Sequence, residues 1–346
     1  MHKSSISRRT FIQQVSLLAG GSLLANTAVQ GFHPGKKPGV IIIGAGFAGL
    51  AAANVLHQNG VDFTILEARN RIGGRVFSHP MDARENLVVE LGAEWIGDSH
   101  HRVRTLCEEL GLKLLDNRFD THLIYQGRYF RHGEWDYSAS WKQTFKQLLE
   151  KYPQLSETEK IQLDAMDWWR YLVNNGCEGR DLDLRELLDS TDFGESIRHV
   201  SALAALAEYA ESSEKNEMDW KIAGGNSLFA EKLADRIGRS NIRLQHTVNR
   251  IVQDKQVTVY CDSGQVFQAD KLICTIPTFA LRKINWEPLL PPEKEEAINE
   301  LQYARINKNP LLFRKRFWKE ENFDMVTDTL THYFYHATKS QPSAKG

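Results

Sequence analysis

The chain has 346 residues, 42% hydrophobic and 25% charged, which is enough for about two globular domains. Its 43 Lys and Arg nearly balance 44 Asp and Glu, and this balance argues against a nucleic-acid partner or an acidic membrane surface. The four cysteines are far apart and the 12 histidines are scattered, so neither a metal site nor a disulfide framework is indicated. The thiols are expected to be free and buried.

The first 30 residues are typical of an export signal. Arg8 and Arg9 precede a mildly apolar stretch that ends at about Ala28, in a pattern that resembles a twin-arginine signal. A membrane anchor is the alternative, but crossing a bilayer takes about 20 apolar residues and this run is shorter and diluted. We therefore predict a signal peptide over residues 1–30, recognition by the twin-arginine translocase, no stable membrane span and a periplasmic or other extracytoplasmic location. A weak small-residue cleavage site leaves a retained tether open.

A dinucleotide-binding motif follows. Residues 39–43 are a β-branched run typical of a strand buried on both faces, and they lead into the sequence GAGFAG and then a run of helix formers. In this order the glycines permit a tight turn, close approach of the backbone to a pyrophosphate, and close packing of the helix, whose N-terminus holds the phosphate. An ordinary glycine turn is the alternative, but it needs no strand or helix around it. The candidate cofactor contacts here are Gly44, Gly46, Phe47, Ala48 and Gly49.

The next segment favours FAD over NAD. A second strand, residues 62–66, ends at Glu67, about where an acid binds a ribose hydroxyl, and this carboxylate would repel the 2′-phosphate of NADP. A second glycine loop then follows, flanked by Arg71 and Arg75, whose guanidiniums can bond a diphosphate. A nicotinamide enzyme has no obvious use for such a loop. The candidates in this segment are Glu67, Ala68, Arg69, Arg71, Gly74 and Arg75.

At these residues the sequence resembles the flavin monoamine oxidase family, which includes monoamine, polyamine and L-amino-acid oxidases and histone lysine demethylases. Residues 90–97 resemble the family segment beside the flavin ring, and residues 222–228 resemble the return to the FAD domain. Residues 242–251 resemble the strand whose valine backbone contacts adenine, and residues 271–277 resemble a later strand that ends in proline. The resemblance therefore adds Gly92, Ala93, Glu94, Trp95 and Val248 as candidate FAD contacts.

Lys308 is the candidate catalytic residue. Residues 303–313, followed by Phe317 and Trp318, resemble the family segment with a lysine hydrogen-bonded through water to flavin N5. A solvated lysine at a strand end is the alternative. The resemblance implies that a small-molecule amine is oxidised to an imine, which gives a carbonyl compound and ammonia, while oxygen is reduced to hydrogen peroxide.

The predicted fold class is α/β, a Rossmann-like FAD-binding domain with an inserted α+β substrate domain. Residues 38–130 and 222–282 are assigned to the FAD-binding domain, and residues 131–221 and 283–346 to the substrate domain. Helical runs dominate from about 130 to 220, where Trp168 and Trp169 are expected to pack in a helix core rather than line a cavity.

The resemblance also carries an expectation about the C-terminus. Family members usually continue beyond the position of Gly346, so a C-terminal segment is expected to be lacking. A truncated, non-catalytic flavin-binding remnant is therefore one alternative reading. Another FAD oxidase or desaturase of the same superfamily is a second.

Overall fold

The computed structural model describes residues 38–211 and 218–346, so the predicted signal peptide lies outside the described residues. The described chain forms two compact units. The first comprises residues 38–76 and Ser227–Leu301, and the second comprises Phe77–Asn226 and Gln302–Gly346. The predicted domains, by contrast, divide near residues 130 and 282, and those functional boundaries stay a prediction.

The first unit is built on a parallel four-stranded sheet with the strand Val40–Ile43 near its centre. All four residues of this strand are buried, as the β-branched run predicts. The helix Phe47–Gln58 follows the strand after a three-residue loop and packs beside the helix Ser227–Ile237. The order across this sheet is Lys271–Cys274, Val40–Ile43, Phe63–Leu66 and Ile242–Arg243.

A second sheet completes the first unit. Its strands run in the order Val266–Ala269, Val257–Cys261, Val248–Gln253 and Asn285–Glu287. Two further helices are Thr278–Leu281 and Pro292–Glu300. One apolar cluster joins the two sheets, with Ile41 and Ile43 from the first packed together with Val248 and Val259 from the second. Strand, glycine loop, helix and parallel sheet together confirm the predicted Rossmann-like α/β fold.

The second unit combines sheets and helices. Its four-stranded sheet runs in the order Tyr333–Tyr335, Phe323–Thr327, Asp120–Tyr125 and Arg128–Phe130. This unit also contains two separate antiparallel strand pairs, Ser78–Asp82 with Leu87–Glu90 and Leu114–Asp116 with Trp220–Ile222. The helices are His101–Glu109, Ala139–Lys151, Glu157–Asp164, Trp168–Asn174, Gly179–Phe193 and Ala202–Glu211. Residues 301–322 form neither helix nor strand.

The helices of the second unit pack around Trp168. Its side chain is fully buried, and its indole nitrogen donates to Asp189 at 2.6 Å. The other carboxylate oxygen of Asp189 accepts from the Tyr209 hydroxyl at 2.9 Å and from Arg185 at 3.2 Å. This network satisfies a carboxylate that burial would otherwise make costly. Trp168 is thus confirmed as helix core.

The helical run before Asn174 is divided into two helices, Glu157–Asp164 and Trp168–Asn174. The first helix ends at Asp164. The side chain of Asp167 accepts from the backbone amide of Arg170 and so caps the start of the second helix.

Of the described cysteines, Cys107, Cys177 and Cys261 are buried free thiols, as predicted, whereas Cys274 is exposed. Within residues 38–211 and 218–346 no three His, Cys, Asp or Glu side chains are grouped so that they could hold a metal ion. In the same part of the chain, no helix has the length and apolar character needed to span a membrane.

Candidate functional site

The glycine loop of the first unit accepts only glycine at two of its positions. Gly44 has φ +100°, a left-handed conformation that side chains rarely adopt, and a Cβ there would lie 2.9 Å from the Thr275 hydroxyl. A Cβ on Gly49 would lie 1.9 Å from the carbonyl oxygen of Gly44. The turn and the start of the helix are therefore in contact, as the motif predicts.

Gly46 differs from its two neighbours. Its φ of −74° and ψ of 177° are open to any residue, and the nearest atom to a Cβ there would be Gly74 Cα at 3.8 Å. Nothing in the part of the chain that the structure describes therefore requires glycine at this position. A backbone bare of side chain at a helix N-terminus is what a diphosphate needs to approach, so the loop fits a dinucleotide.

The second glycine loop lies against the first. The amide of Gly73 donates to the carbonyl of Ala45 at 2.9 Å, and a Cβ on Gly74 would lie 3.0 Å from Gly46 Cα. Both glycines have positive φ. The two glycine loops are therefore in contact in the first unit, which the sequence did not predict.

The arginines of the second loop bond to the loop itself. Arg71 donates to the carbonyls of Gly74 at 2.9 Å and Ile72 at 3.1 Å, and Arg69 donates to Gly74 at 3.0 Å. Burial lowers the pKa of Arg71, and the charge of Arg69 lowers it further. Arg75 is exposed. The contact predicted from Arg71 and Arg75 to a diphosphate stays a prediction, and the geometry gives Arg71 a role in holding the loop.

The side chain of Glu67 accepts hydrogen bonds from two backbone amides, one in each glycine-loop segment. Its carboxylate is buried, with one oxygen accepting from the amide of Ala45 at 2.7 Å and the other from the amide of Arg69 at 2.9 Å. Each oxygen keeps a second lone pair, so the carboxylate can still accept a ribose hydroxyl. Glu67 therefore fixes the loop to which a nucleotide would bind.

The other predicted contacts of this unit vary in exposure. Phe47 stacks on Phe229 with ring centroids 4.8 Å apart, whereas Ala48 and Ala68 are exposed. Val248 is buried and begins its strand, where it pairs with Cys261 of the neighbouring antiparallel strand.

Lys308 lies in the second unit and is held by the segment predicted to pass beside a flavin. Its ammonium donates to the carbonyl of Gly92 at 3.0 Å and to the carboxylate of Glu94 at 2.9 Å. The lysine side chain is 19% exposed and that of Glu94 is 1% exposed. The solvated strand-end lysine, given as the alternative, is therefore wrong, since Lys308 is mostly buried and no strand surrounds it.

Glu94 is fixed from several directions. Its carboxylate also accepts from the Tyr335 hydroxyl at 2.7 Å, and its carbonyl accepts from the Asn226 side chain at 2.6 Å. The backbone amide of Asn226 donates to the carboxylate of Glu90 at 2.7 Å. Tyr335 and Asn226 were missed as site residues, because each is far from Glu94 in sequence and carries no local signal.

Two more ionisable side chains line a small cavity beside Glu94. Glu90 accepts from the Ser78 hydroxyl at 2.8 Å, and burial raises the pKa of Glu90. Lys221 donates to the carbonyl of Ala337 at 2.9 Å. Burial lowers the pKa of Lys221, while the charges of Glu94 and Glu90 oppose this shift. Both residues were also missed in the sequence.

The chain is similar to known histone demethylase and amine oxidase proteins. It is 30% identical to lysine-specific histone demethylase 1 homolog 2 of Oryza sativa subsp. japonica, over 82% of this chain and 38% of that protein. It is 24% identical to the probable flavin-containing monoamine oxidase A of Dictyostelium discoideum, over 82% of this chain and 67% of that protein.

A solved structure supports the same fold. Putrescine oxidase bound to putrescine superposes with a TM-score of 0.77 at 20% identity, covering 90% of this chain and 74% of that chain. The chain spans less than half the length of the histone demethylase homologues that it matches, 38% of the Oryza protein and 43% of an Arabidopsis thaliana one.

The family match covers most of the chain. The family described as flavin containing amine oxidoreductase matches residues 47–344, which include the glycine loop, Glu94 and Lys308. FAD is the cofactor of that family, so the predicted cofactor is confirmed. The chain belongs to the flavin containing amine oxidoreductases.

Proposed function

We propose that this chain carries out the FAD-dependent oxidation of a small-molecule amine to an imine, which hydrolyses to a carbonyl compound and ammonia, with oxygen reduced to hydrogen peroxide. When bound, FAD supplies the redox chemistry, taking two electrons from the amine carbon and passing them to oxygen. The similar proteins support an amine substrate, because they are named for putrescine, monoamines and histone lysine.

The observation that carries the proposal is the way Lys308 is held. An ammonium has three N–H donors. Two of those of Lys308 bond to the Gly92 carbonyl and the Glu94 carboxylate. The remaining donor can orient one water molecule. Because both partners belong to the segment that the family resemblance places beside the flavin ring, this water is proposed to lie next to flavin N5.

The cofactor is proposed to be held by backbone and by one carboxylate. The open backbone at Gly46 would receive the pyrophosphate, Glu67 would accept a ribose hydroxyl, and the backbone of Val248 would contact adenine. These three contacts all come from the first unit.

Purified protein is expected to carry FAD, and Glu67→Ala is expected to weaken FAD binding by about 10- to 100-fold. A hydrogen bond to a charged group contributes about 1.5–3 kcal/mol, and the substitution also removes the carboxylate that fixes Ala45 and Arg69. Nucleotide extraction with chromatography identifies the cofactor, and titration of apoprotein with FAD gives the affinity. Asp254→Ala, at an exposed turn of the same unit, is the control. Recovery of NAD, or unchanged affinity in the Glu67 variant, would contradict the assignment.

We also propose that the protein is exported by the twin-arginine translocase. Changing Arg8 and Arg9 together to lysine is expected to leave the protein in the cytoplasm with its FAD content intact, because both arginines precede the nucleotide motif. Cell fractionation in a bacterium with a working twin-arginine pathway measures this, and Lys3→Arg is the matched control. Equal extracytoplasmic yields from the variant and the wild type would reject the export proposal.

A further inference from the structure

The ammonium of Lys308 lies near two aromatic rings as well as its two hydrogen-bond acceptors. Its nitrogen lies 5.1 Å from the centre of the Trp95 ring and 5.7 Å from that of Tyr335, in addition to the bonds with Gly92 and Glu94. Both ring distances are within the reach of a cation–π interaction. One carboxylate, one carbonyl and two aromatic rings therefore converge on a single charged nitrogen.

This set of groups has the chemistry of a primary ammonium site. The carboxylate of Glu94 is almost fully buried, so it needs a positive partner at close range. The carbonyl of Gly92 accepts a second N–H, which a quaternary ammonium lacks. The rings of Trp95 and Tyr335 attract positive charge, and a neutral alcohol of the same size gains little from them.

The aromatic side chains are themselves held in place. Tyr335 donates its hydroxyl to Glu94, and burial raises the pKa of Tyr335, so this hydroxyl stays protonated and remains a donor. Tyr333 stacks on Tyr335 with centroids 5.4 Å apart and donates to Asp324 at 2.6 Å. Trp95 meets both tyrosine rings edge-on. The site therefore does not depend on the Lys308 side chain for its shape.

We propose that Glu94, the Gly92 carbonyl, Trp95 and Tyr335 form a binding site for a primary alkylammonium ion, and that Lys308 is its covalently tethered occupant. The site acts as a positioning device, since it fixes the one nitrogen of the lysine and selects for a charged primary amine. This property goes beyond the proposed oxidation and does not require it, because all of its groups belong to the second unit.

Chemical complementation tests the proposal. Lys308→Ala removes three methylenes and the ammonium, the atoms that n-propylammonium would restore. Binding is measured by thermal shift and by tryptophan fluorescence, with no substrate present. We expect n-propylammonium chloride to bind Lys308→Ala with a dissociation constant of millimolar order, since four heavy atoms limit the affinity. We expect 1-propanol and tetramethylammonium to have no effect, and wild type and Lys315→Ala not to respond, because their site is filled.

The double variant Glu94→Gln with Lys308→Ala tests whether n-propylammonium is bound by the Glu94 carboxylate or merely fills the space left by the lysine. Losing the carboxylate is expected to weaken n-propylammonium binding at least about tenfold. The proposal is overturned if the double variant binds as tightly as Lys308→Ala, if 1-propanol binds equally well, or if wild type responds in the same way. Because no turnover is measured, a protein that does not oxidise amines could still pass this test. Failure of the ammonium site and failure of the proposed oxidation can therefore be told apart.

A second measurement uses the wild-type protein, in case Lys308→Ala does not fold. Reductive methylation followed by site-resolved mass spectrometry compares Lys308 with the exposed Lys315 in the same segment. We expect Lys308 to react at least about tenfold more slowly, because its nitrogen is bonded and covered. Equal reactivity would overturn the proposal.

Discussion

Lys308→Met is expected to slow amine oxidation, or reoxidation of reduced flavin by oxygen, by about 100- to 1000-fold. Loss of one positioned polar group from a catalytic site commonly has this effect, and methionine keeps the length of the stem without any donor. Stopped-flow absorbance of the flavin measures the two half-reactions separately. Lys315→Met, an exposed lysine in the same segment, is the matched control and should stay within about twofold of wild type.

Replacing Lys308 is also expected to lower the stability of the protein, and this loss must be separated from the effect on the reaction rates. With Lys308 gone, Tyr335 is the one side chain among the described residues that still donates to the buried carboxylate of Glu94. Removing one partner of a buried ion pair destabilises a protein by about 3–5 kcal/mol. The double variant Lys308→Met with Glu94→Gln removes that charge and is expected to recover stability without recovering rate. If Lys308→Met stays within about twofold of wild type in both half-reactions, Lys308 has no role at the flavin.

Gly49→Ala and Gly46→Ala are expected to fail for different reasons. The Cβ of alanine at position 49 would lie 1.9 Å from the Gly44 carbonyl oxygen, so the loop must move and the fold itself loses about 1–3 kcal/mol or more. We expect little or no FAD in this variant, and a lower melting temperature of the apoprotein.

Gly46→Ala is expected to leave the apoprotein stable to within about 0.5 kcal/mol, because its backbone suits alanine and the nearest atom to the new Cβ, Gly74 Cα, lies at 3.8 Å, an ordinary van der Waals contact. Its methyl group would nevertheless occupy the surface proposed for the pyrophosphate, so FAD affinity should fall by more than about tenfold. Thermal unfolding of both apoproteins and titration with FAD give the two quantities. Wild-type FAD affinity in Gly46→Ala would place the pyrophosphate elsewhere.

The glycine loop could be predicted from sequence because its determinants are local. Strand, turn and helix follow one another within 20 residues, and the conformation of Gly44 and the contact of Gly49 are set inside that span. The direction of Arg71 could not be predicted in this way. A guanidinium beside a glycine loop suits a diphosphate and a loop carbonyl equally well, and here it bonds to Gly74.

The surroundings of Lys308 depend on distant residues. Resemblance to the family identifies the lysine, but Glu94 lies 214 residues away from it, and Tyr335 lies 241 residues from Glu94. No periodicity connects positions so far apart, since only the folded chain brings them together. Trp168 shows the opposite case, because a large aromatic on a helix most often packs in the core, and it does so here.

The first unit is completed by chain that is synthesised late. The hydroxyl of Thr275 donates to the carbonyl of Ile43 at 2.8 Å, and Cys274 pairs with Ile43 across the parallel sheet. A ribosome needs about 10–40 s to travel from Val76 to this point, at about 5–20 residues per second. During that time the strand Val40–Ile43 has no neighbour on one side, so its unpaired edge is available to chaperones or to other nascent chains. We therefore expect the parallel sheet that carries the glycine loop to be complete only after Thr275 has been translated.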